Sequence, residues 1–185
     1  LRDIEVLKAE FRAIKELIDD GYSNLGLKFP FVRDGIEYLS AKSILEECGL
    51  KPHRDLEVGL SVETPSAALQ IREFIDYGLD FVSIGMSDLA MCTLAVDRRG
   101  VRVAKLFDLT HPALLRLVNN VIRACSRAGI KTCVAGYAAT DYDIVEKLIR
   151  MGVDGISTNP DQLLKMRVFI TRIEKSILLE TLRGG

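Results

Sequence analysis

Val58-Gly59-Leu60-Ser61-Val62-Glu63-Thr64-Pro65-Ser66 and Phe81-Val82-Ser83-Ile84-Gly85-Met86-Ser87-Asp88 share one plan. Each is a short apolar run, then small and polar residues, then the start of a helical pattern. The plan recurs at Lys131–Ala135 with Gly136-Tyr137-Ala138-Ala139-Thr140-Asp141, and at Gly155–Ser157 with Thr158-Asn159-Pro160-Asp161. A further β-like run, Leu25–Val32, comes first, with Pro30 near its end. Strands alternating with helices predict a parallel sheet joined by crossover helices. The runs are nearly continuous in apolar character, which predicts strands buried on both faces.

The spacing predicts helices over about 3–20, 36–48, 66–77, 112–128, 141–151 and 160–181, with a short one at 88–95. Ser66, Thr140 and Asn159 are the expected N-caps, and Pro160 suits a first helical position. Five strands fall short of a complete (βα)8 barrel, which takes about 250 residues, and the chain has 185. The expected fold is therefore α/β, one domain over 1–185. It is either part of a TIM-type (βα)8 barrel, about five βα units, or an open five-stranded sheet. Either way ligands belong at the C-terminal ends of the strands.

Hydrophobic residues make up 48% and charged residues 28%, an ordinary globular composition. Lys+Arg is 25 and Asp+Glu is 26, a formal net charge of -1, so no basic excess points to nucleic acid. No apolar run approaches the ~20 residues of a membrane span, and Leu1-Arg2-Asp3-Ile4-Glu5 does not read as a signal peptide. The chain starts with Leu rather than Met, which suggests a processed piece or a fragment. Cys48, Cys92, Cys125 and Cys133 form no C-x-x-C pair, and His53 and His111 lie near no cluster of thiols. They read as free thiols of a reducing cytoplasm.

Two acids stand out. Glu63 ends one strand and Asp88 lies just beyond the next. Consecutive parallel strands usually neighbour one another, so both acids belong on one rim. Two carboxylates with backbone oxygens and water suit a hard divalent cation such as Mg²⁺. The equally weighted alternative is that each acid only caps the helix that follows. Gly85 permits close backbone approach to a ligand, and the amides after it suit an anion. Met86 would bring a thioether to this polar rim. Arg98 offers a planar fork to a carboxylate or phosphate, or is a solvated charge.

The ordered motifs resemble the C-terminal domain of phosphoenolpyruvate (PEP)-utilising enzymes: PEP synthase (pyruvate, water dikinase), pyruvate phosphate dikinase and enzyme I of the phosphotransferase system. They are Phe29-Pro30-Phe31-Val32-Arg33, Val62–Ala68, Asp80–Leu89, Leu94–Arg98, Leu106-Phe107-Asp108, His111-Pro112-Ala113, Gly136 and Gly152–Asp161. Pro30–Arg33, Leu106–Asp108 and Asn159-Pro160-Asp161 look most like the synthase branch, whereas Val62–Pro65 and His111–Ala113 look closer to enzyme I.

The resemblance implies a (βα)8 barrel that binds pyruvate or PEP through Mg²⁺. It implies Glu63 and Asp88 as metal ligands, backbone groups of the Gly85-Met86-Ser87-Asp88 loop as substrate contacts, and Arg98 as a phosphoryl contact. The pattern departs from the family at three points. Met86-Ser87 replaces a Thr/Ser-Asn pair. Ala135 stands where the family has its proton-donating cysteine, and a methyl group transfers no proton. Cys133 points to the same strand face one layer deeper, where it reads as a core thiol. Third, the family's first three barrel strands, with their substrate-binding arginines, and its nucleotide and phosphohistidine domains are absent. His111, before Pro112 at a helix start, reads as local structure rather than a phosphoacceptor.

The expected function is the Mg²⁺-dependent PEP- or pyruvate-binding portion of a PEP synthase-like phosphotransferase, inactive as an isolated chain. Alternatives are a non-catalytic relative serving association or regulation, a fragment of enzyme I, and a metal-dependent lyase on the same barrel. Unpaired sheet edges imply a homo-oligomer or the missing parent-chain domains as partners.

Overall fold

The structure is a computed structural model, and it describes residues 4–100 and 102–184. Leu1, Arg2 and Asp3, including the first residue of the expected 3–20 helix, lie outside the described residues.

Five strands form one parallel sheet in chain order. They are β1 (Gly26–Phe29), β2 (Glu57–Val62), β3 (Phe81–Ile84), β4 (Lys131–Ala135) and β5 (Gly155–Ser157). The helices are α1 (Ile4–Asp19), α2 (Gly35–Glu47), α3 (Pro65–Leu69), α4 (Ile71–Asp76), α5 (Met86–Leu94), α6 (Pro112–Arg127), α7 (Tyr142–Met151) and α8 (Leu163–Arg183). Each strand bonds only to its sequence neighbours among the described residues, without the reversal of order that marks a doubly wound sheet. This α/β fold is consistent with part of a TIM-type barrel.

Register explains the two faces. Leu60 pairs with Val82 and Val62 with Ile84, while Ser61 pairs with Ser83, which in turn pairs with Cys133. The first face carries Val58, Leu60, Val62, Val82, Ile84 and Val134, all fully buried in the core with Tyr38, Phe74, Leu89 and Leu114 of the helices. The second carries Lys28, Gly59, Ser61, Ser83, Cys133, Ala135 and Ser157, with the Phe81 ring lying over Gly59. Sheet faces alternate along a strand. β2 and β3 are buried on both faces, as expected, but only the first face is packed in the apolar core, and the second is lined mainly by small and polar residues, half-buried on β4 and half-buried or exposed on β5. Lys28 Nζ donates to Ser83 Oγ across the polar face at 3.1 Å.

Several boundaries shift. β1 stops at Phe29 rather than Val32, because Pro30 has no N–H for the ladder and Phe31 turns to φ +51°. The helix expected over 66–77 is two, broken at Gln70. Two expected caps move and a third makes no side-chain bond. Thr64, not Ser66, accepts the Ala67 N–H, and Asp141, not Thr140, accepts from Asp143 and Ile144. Asn159 opens only a 3₁₀ turn and makes no side-chain cap bond. His111 caps α6, its Nδ1 accepting the Ala113 N–H at 3.2 Å, as local structure.

A paired device anchors the strand entries. Asp80, before β3, accepts the Val58 N–H at 2.7 Å and returns its own N–H to Val58 O at 2.9 Å. Asp154, before β5, does the same with Thr132, at 2.9 and 3.1 Å. Both follow a left-handed glycine two residues earlier, Gly78 at φ +89° and Gly152 at φ +92°. Gly-Leu-Asp and Gly-Val-Asp are therefore a structural repeat.

Candidate functional site

The site is built where β1, β2 and β3 end. Beyond β2, Thr64 does the local structural work: its Oγ1 donates to Val32 O at 3.0 Å and accepts the Ala67 N–H at 3.2 Å. Glu63 is thereby left free of helix capping. Its carboxylate has two donors instead. Phe31 N–H reaches Oε2 at 2.9 Å, and Ser61 Oγ reaches Oε1 at 2.9 Å. Each oxygen of a carboxylate has further lone pairs, so capacity remains for a cation.

Gly85 makes this placement possible. A Cβ there would lie 2.6 Å from Glu63 Cγ, so the glutamate side chain rests directly on the glycine. Gly85 itself extends the ladder, donating to Val62 O at 3.0 Å. It is also the N-cap of α5 and provides no side-chain acceptor. The first-turn N–H groups of α5 therefore remain unpaired within the helix and leave its positive end at the rim.

Asp88 lies in the first turn of α5, half-buried, and makes no hydrogen bond or ion pair among the described residues. The helix begins at Met86 rather than 88, so Asp88 is not its cap. The capping alternative fails for both acids. Glu63 and Asp88 follow adjacent paired strands at the same end of the sheet. No group of three or more His, Cys, Asp or Glu that could hold a metal occurs among the described residues. A pair of carboxylates still fits a hard ion such as Mg²⁺, which keeps several waters and is held by one or two carboxylates plus substrate oxygens.

Met86 requires a correction. Its side chain is fully buried in the core, so only its backbone belongs to the rim and no thioether is presented there. Ser87 is half-buried beside it. Arg98 is exposed in the loop after α5 and forms no ion pair with Glu63 or Asp88. That loop is turned by Ala95 at φ +53° and by the Arg99 N–H donating to Asp97 Oδ1 at 2.8 Å.

Ala135 and Cys133 share the polar face of β4. Burial pushes the Cys133 thiol above its ordinary value, partly offset by the Lys28 charge. Sequence reasoning missed Ser61 and Phe31 as the holders of Glu63. Ser61 was legible, because a residue two positions earlier on a strand faces the same way. The Phe31 N–H carries no sequence signal.

The model of the family described as "PEP-utilising enzyme, PEP-binding domain" matches residues 1–175. The phosphoenolpyruvate synthase of Pyrococcus furiosus is 44% identical over 173 residues, which are 94% of this chain and 21% of that protein. A probable phosphoenolpyruvate synthase of Archaeoglobus fulgidus is 44% identical over 183 residues, 99% of this chain and 24% of the relative. A phosphoenolpyruvate-protein phosphotransferase of Latilactobacillus sakei is 33% identical over 183 residues, 95% of this chain and 31% of the relative. The chain thus spans about a fifth to a third of these relatives. The crystal structure of RipC from Yersinia pestis superposes with a TM-score of 0.60 at 14% identity, covering 85% of this chain and 68% of that one, a likeness of fold.

Proposed function

The chain belongs to the PEP-utilising enzymes, in their PEP-binding domain, and from that premise we propose that it is the pyruvate- or PEP-binding portion of a PEP synthase-like phosphotransferase. The observation that carries the reading is the Glu63 carboxylate, held by Phe31 and Ser61 over Gly85 at the mouth of α5. Glu63 and Asp88 would hold Mg²⁺. When bound, Mg²⁺ supplies positive charge that lowers the energy of a developing enolate.

The chain's own residues divide the remaining work. The first-turn amides of α5, at Met86, Ser87 and Asp88, orient the substrate carboxylate, because unpaired N–H groups at a helix start favour an anion. Gly85 lets the substrate approach the backbone. Arg98 meets a phosphoryl group as a planar fork. Ala135 moves no proton, so the isolated chain binds without turning over. Phosphoryl transfer from a nucleotide belongs to parts of a longer protein. The synthase branch is favoured over enzyme I by the higher identity to the synthases.

No helix among the described residues is long and apolar enough to cross a membrane. We place the chain in the cytoplasm. Its working form is completed by strands from a second copy or from further chain, since the described sheet ends in two open edges, β1 and β5. Ala135 also supports a second reading, a non-catalytic relative that keeps the fold for association.

The test is calorimetric titration of Mn²⁺, with and without oxalate, into the wild type and into Glu63→Gln and Asp88→Asn. Binding that needs both acids is expected. Unchanged affinity in both variants would overturn the assignment.

A further inference from the structure

A second charged feature lies away from the rim. The solvent face of α6 carries Arg116, Asn119, Asn120, Arg123 and Arg127, at spacings of three and four residues that align them on one side. Arg72, in the first turn of α4, faces them across a cavity of about 280 Å³. All four arginines are exposed, and none forms an ion pair among the described residues. Among the described residues, no carboxylate lines the cavity.

The absence of acid is unusual for this chain. Acids and bases are nearly balanced overall, at 26 and 25, yet the sixteen residues of α6 include no Asp or Glu. A merely solvated helix face in such a protein would mix both signs. Four uncompensated guanidiniums around one hollow repel each other, and an anion that enters relieves this. Arg127 also complements the C-terminal end of α6, but that accounts for one of the four.

The groove has fixed walls. Asn120 Nδ2 donates to Ala68 O at 2.9 Å and ties α6 to α3. Asn119 has no side-chain partner among the described residues and adds an amide donor to the lining. A second cavity of about 540 Å³ shares Arg116, Asn119 and Arg123 and continues onto Leu115 and Met151. Planar guanidiniums match phosphate oxygens bidentately, and several in one hollow favour a ligand with several phosphates.

We propose that the Arg72–Arg116–Arg123–Arg127 groove between α4 and α6 binds an anion carrying a chain of phosphoryl groups. Such a chain occurs in free polyphosphate and in a nucleoside triphosphate. In both cases the phosphates lie over Arg72, Arg123 and Arg127; in a nucleotide, the organic part lies along Leu115 and Met151.

The test titrates inorganic triphosphate and ATP separately into the chain at constant ionic strength, without divalent metal, by calorimetry. The expected result is saturable binding of one equivalent. It weakens at least about tenfold in Arg116→Gln/Arg123→Gln. It is unchanged in Arg12→Gln/Arg183→Gln, which removes the same charge elsewhere, and in Glu63→Gln at the rim. Tighter binding of ATP assigns the nucleotide; equal binding assigns the phosphate chain alone. Circular dichroism confirms that the variants fold. No saturable binding, equal loss in both double variants, or dependence on Glu63 would each overturn the proposal. So would displacement of triphosphate by oligoglutamate at lower concentration, which assigns the groove to an acidic protein segment.

Discussion

The backbone N–H of Phe31 donates to Glu63 Oε2 at 2.9 Å, across 32 positions of sequence. Phe31 holds φ at +51°, a left-handed conformation that costs a bulky residue roughly 1–2 kcal/mol. Replacing it by glycine keeps the N–H and removes the strain. Phe31→Gly should therefore leave the melting temperature unchanged or higher, with Mn²⁺ affinity retained within about threefold, a difference worth well under the 1.4 kcal/mol of a tenfold change. A large loss of affinity would show that the exposed ring, not the amide, matters.

Gly85→Ala is expected to do the reverse. The backbone of Gly85 has φ of -87°, which alanine adopts freely, but the new methyl would meet Glu63 Cγ at 2.6 Å. Glu63 must swing away and lose its two donors. Stability should fall by about 1–2 kcal/mol, measured by urea unfolding, while Mn²⁺ affinity falls at least about tenfold.

Asp154 predicts acid sensitivity. The Lys131 hydrogen bond, then the Thr132 N–H and hydroxyl, hold its carboxyl below the ordinary value of 3.8. A depressed folded value means that stability is fully present above pH 3.8 and is lost as pH falls through the folded value. Lys131 is exposed and contributes little, whereas Thr132 is buried. Asp154→Asn should cost about 1–2 kcal/mol at pH 7. Urea midpoints of variant and wild type should converge below pH 3.8. A gap that persists there would show the loss to be steric.

The four cysteines should react unequally. Cys92 is exposed, Cys48 and Cys133 are half-buried, and Cys125 is buried with its thiol pushed up to about 12. Burial keeps Cys125 protonated and inaccessible. With a disulfide reagent at pH 8, one fast phase should vanish in Cys92→Ser, and Cys125 should react only on unfolding. A fast Cys125 would contradict the packing of α6.

Self-association is also open to measurement. Among the described residues β1 and β5 are open edges, and Leu164, Val168, Leu178 and Leu182 of α8 are exposed. Such features rarely stay bare on a soluble monomer. Sedimentation should show a dimer or larger species at micromolar concentration; monomer alone would contradict the expectation.

Much was legible along the chain. Short apolar runs, polar exits and helical spacing place every strand of the sheet near its observed position, because local burial is written as periodicity. The end of the sheet that carries Glu63 and Asp88 follows from the same pattern, since parallel strands all point one way. Strand order was not legible. A succession of βα units suits both a barrel segment and a doubly wound sheet, and only the crossovers, which give the order β1-β2-β3-β4-β5, separate them. Nor could the runs say which face the helices cover. Val62 and Ser61 differ in the sequence by one position, yet one is locked in the helix core and the other donates to Glu63. The caps were equally undecided: Thr64 sits beside Glu63 and is as good a capping residue, and only the folded backbone aims its hydroxyl at Ala67. Periodicity records whether a side chain is buried. Which partner it meets depends on contacts between segments far apart in the chain, as between Phe31 and Glu63, and those exist only once the sheet has formed.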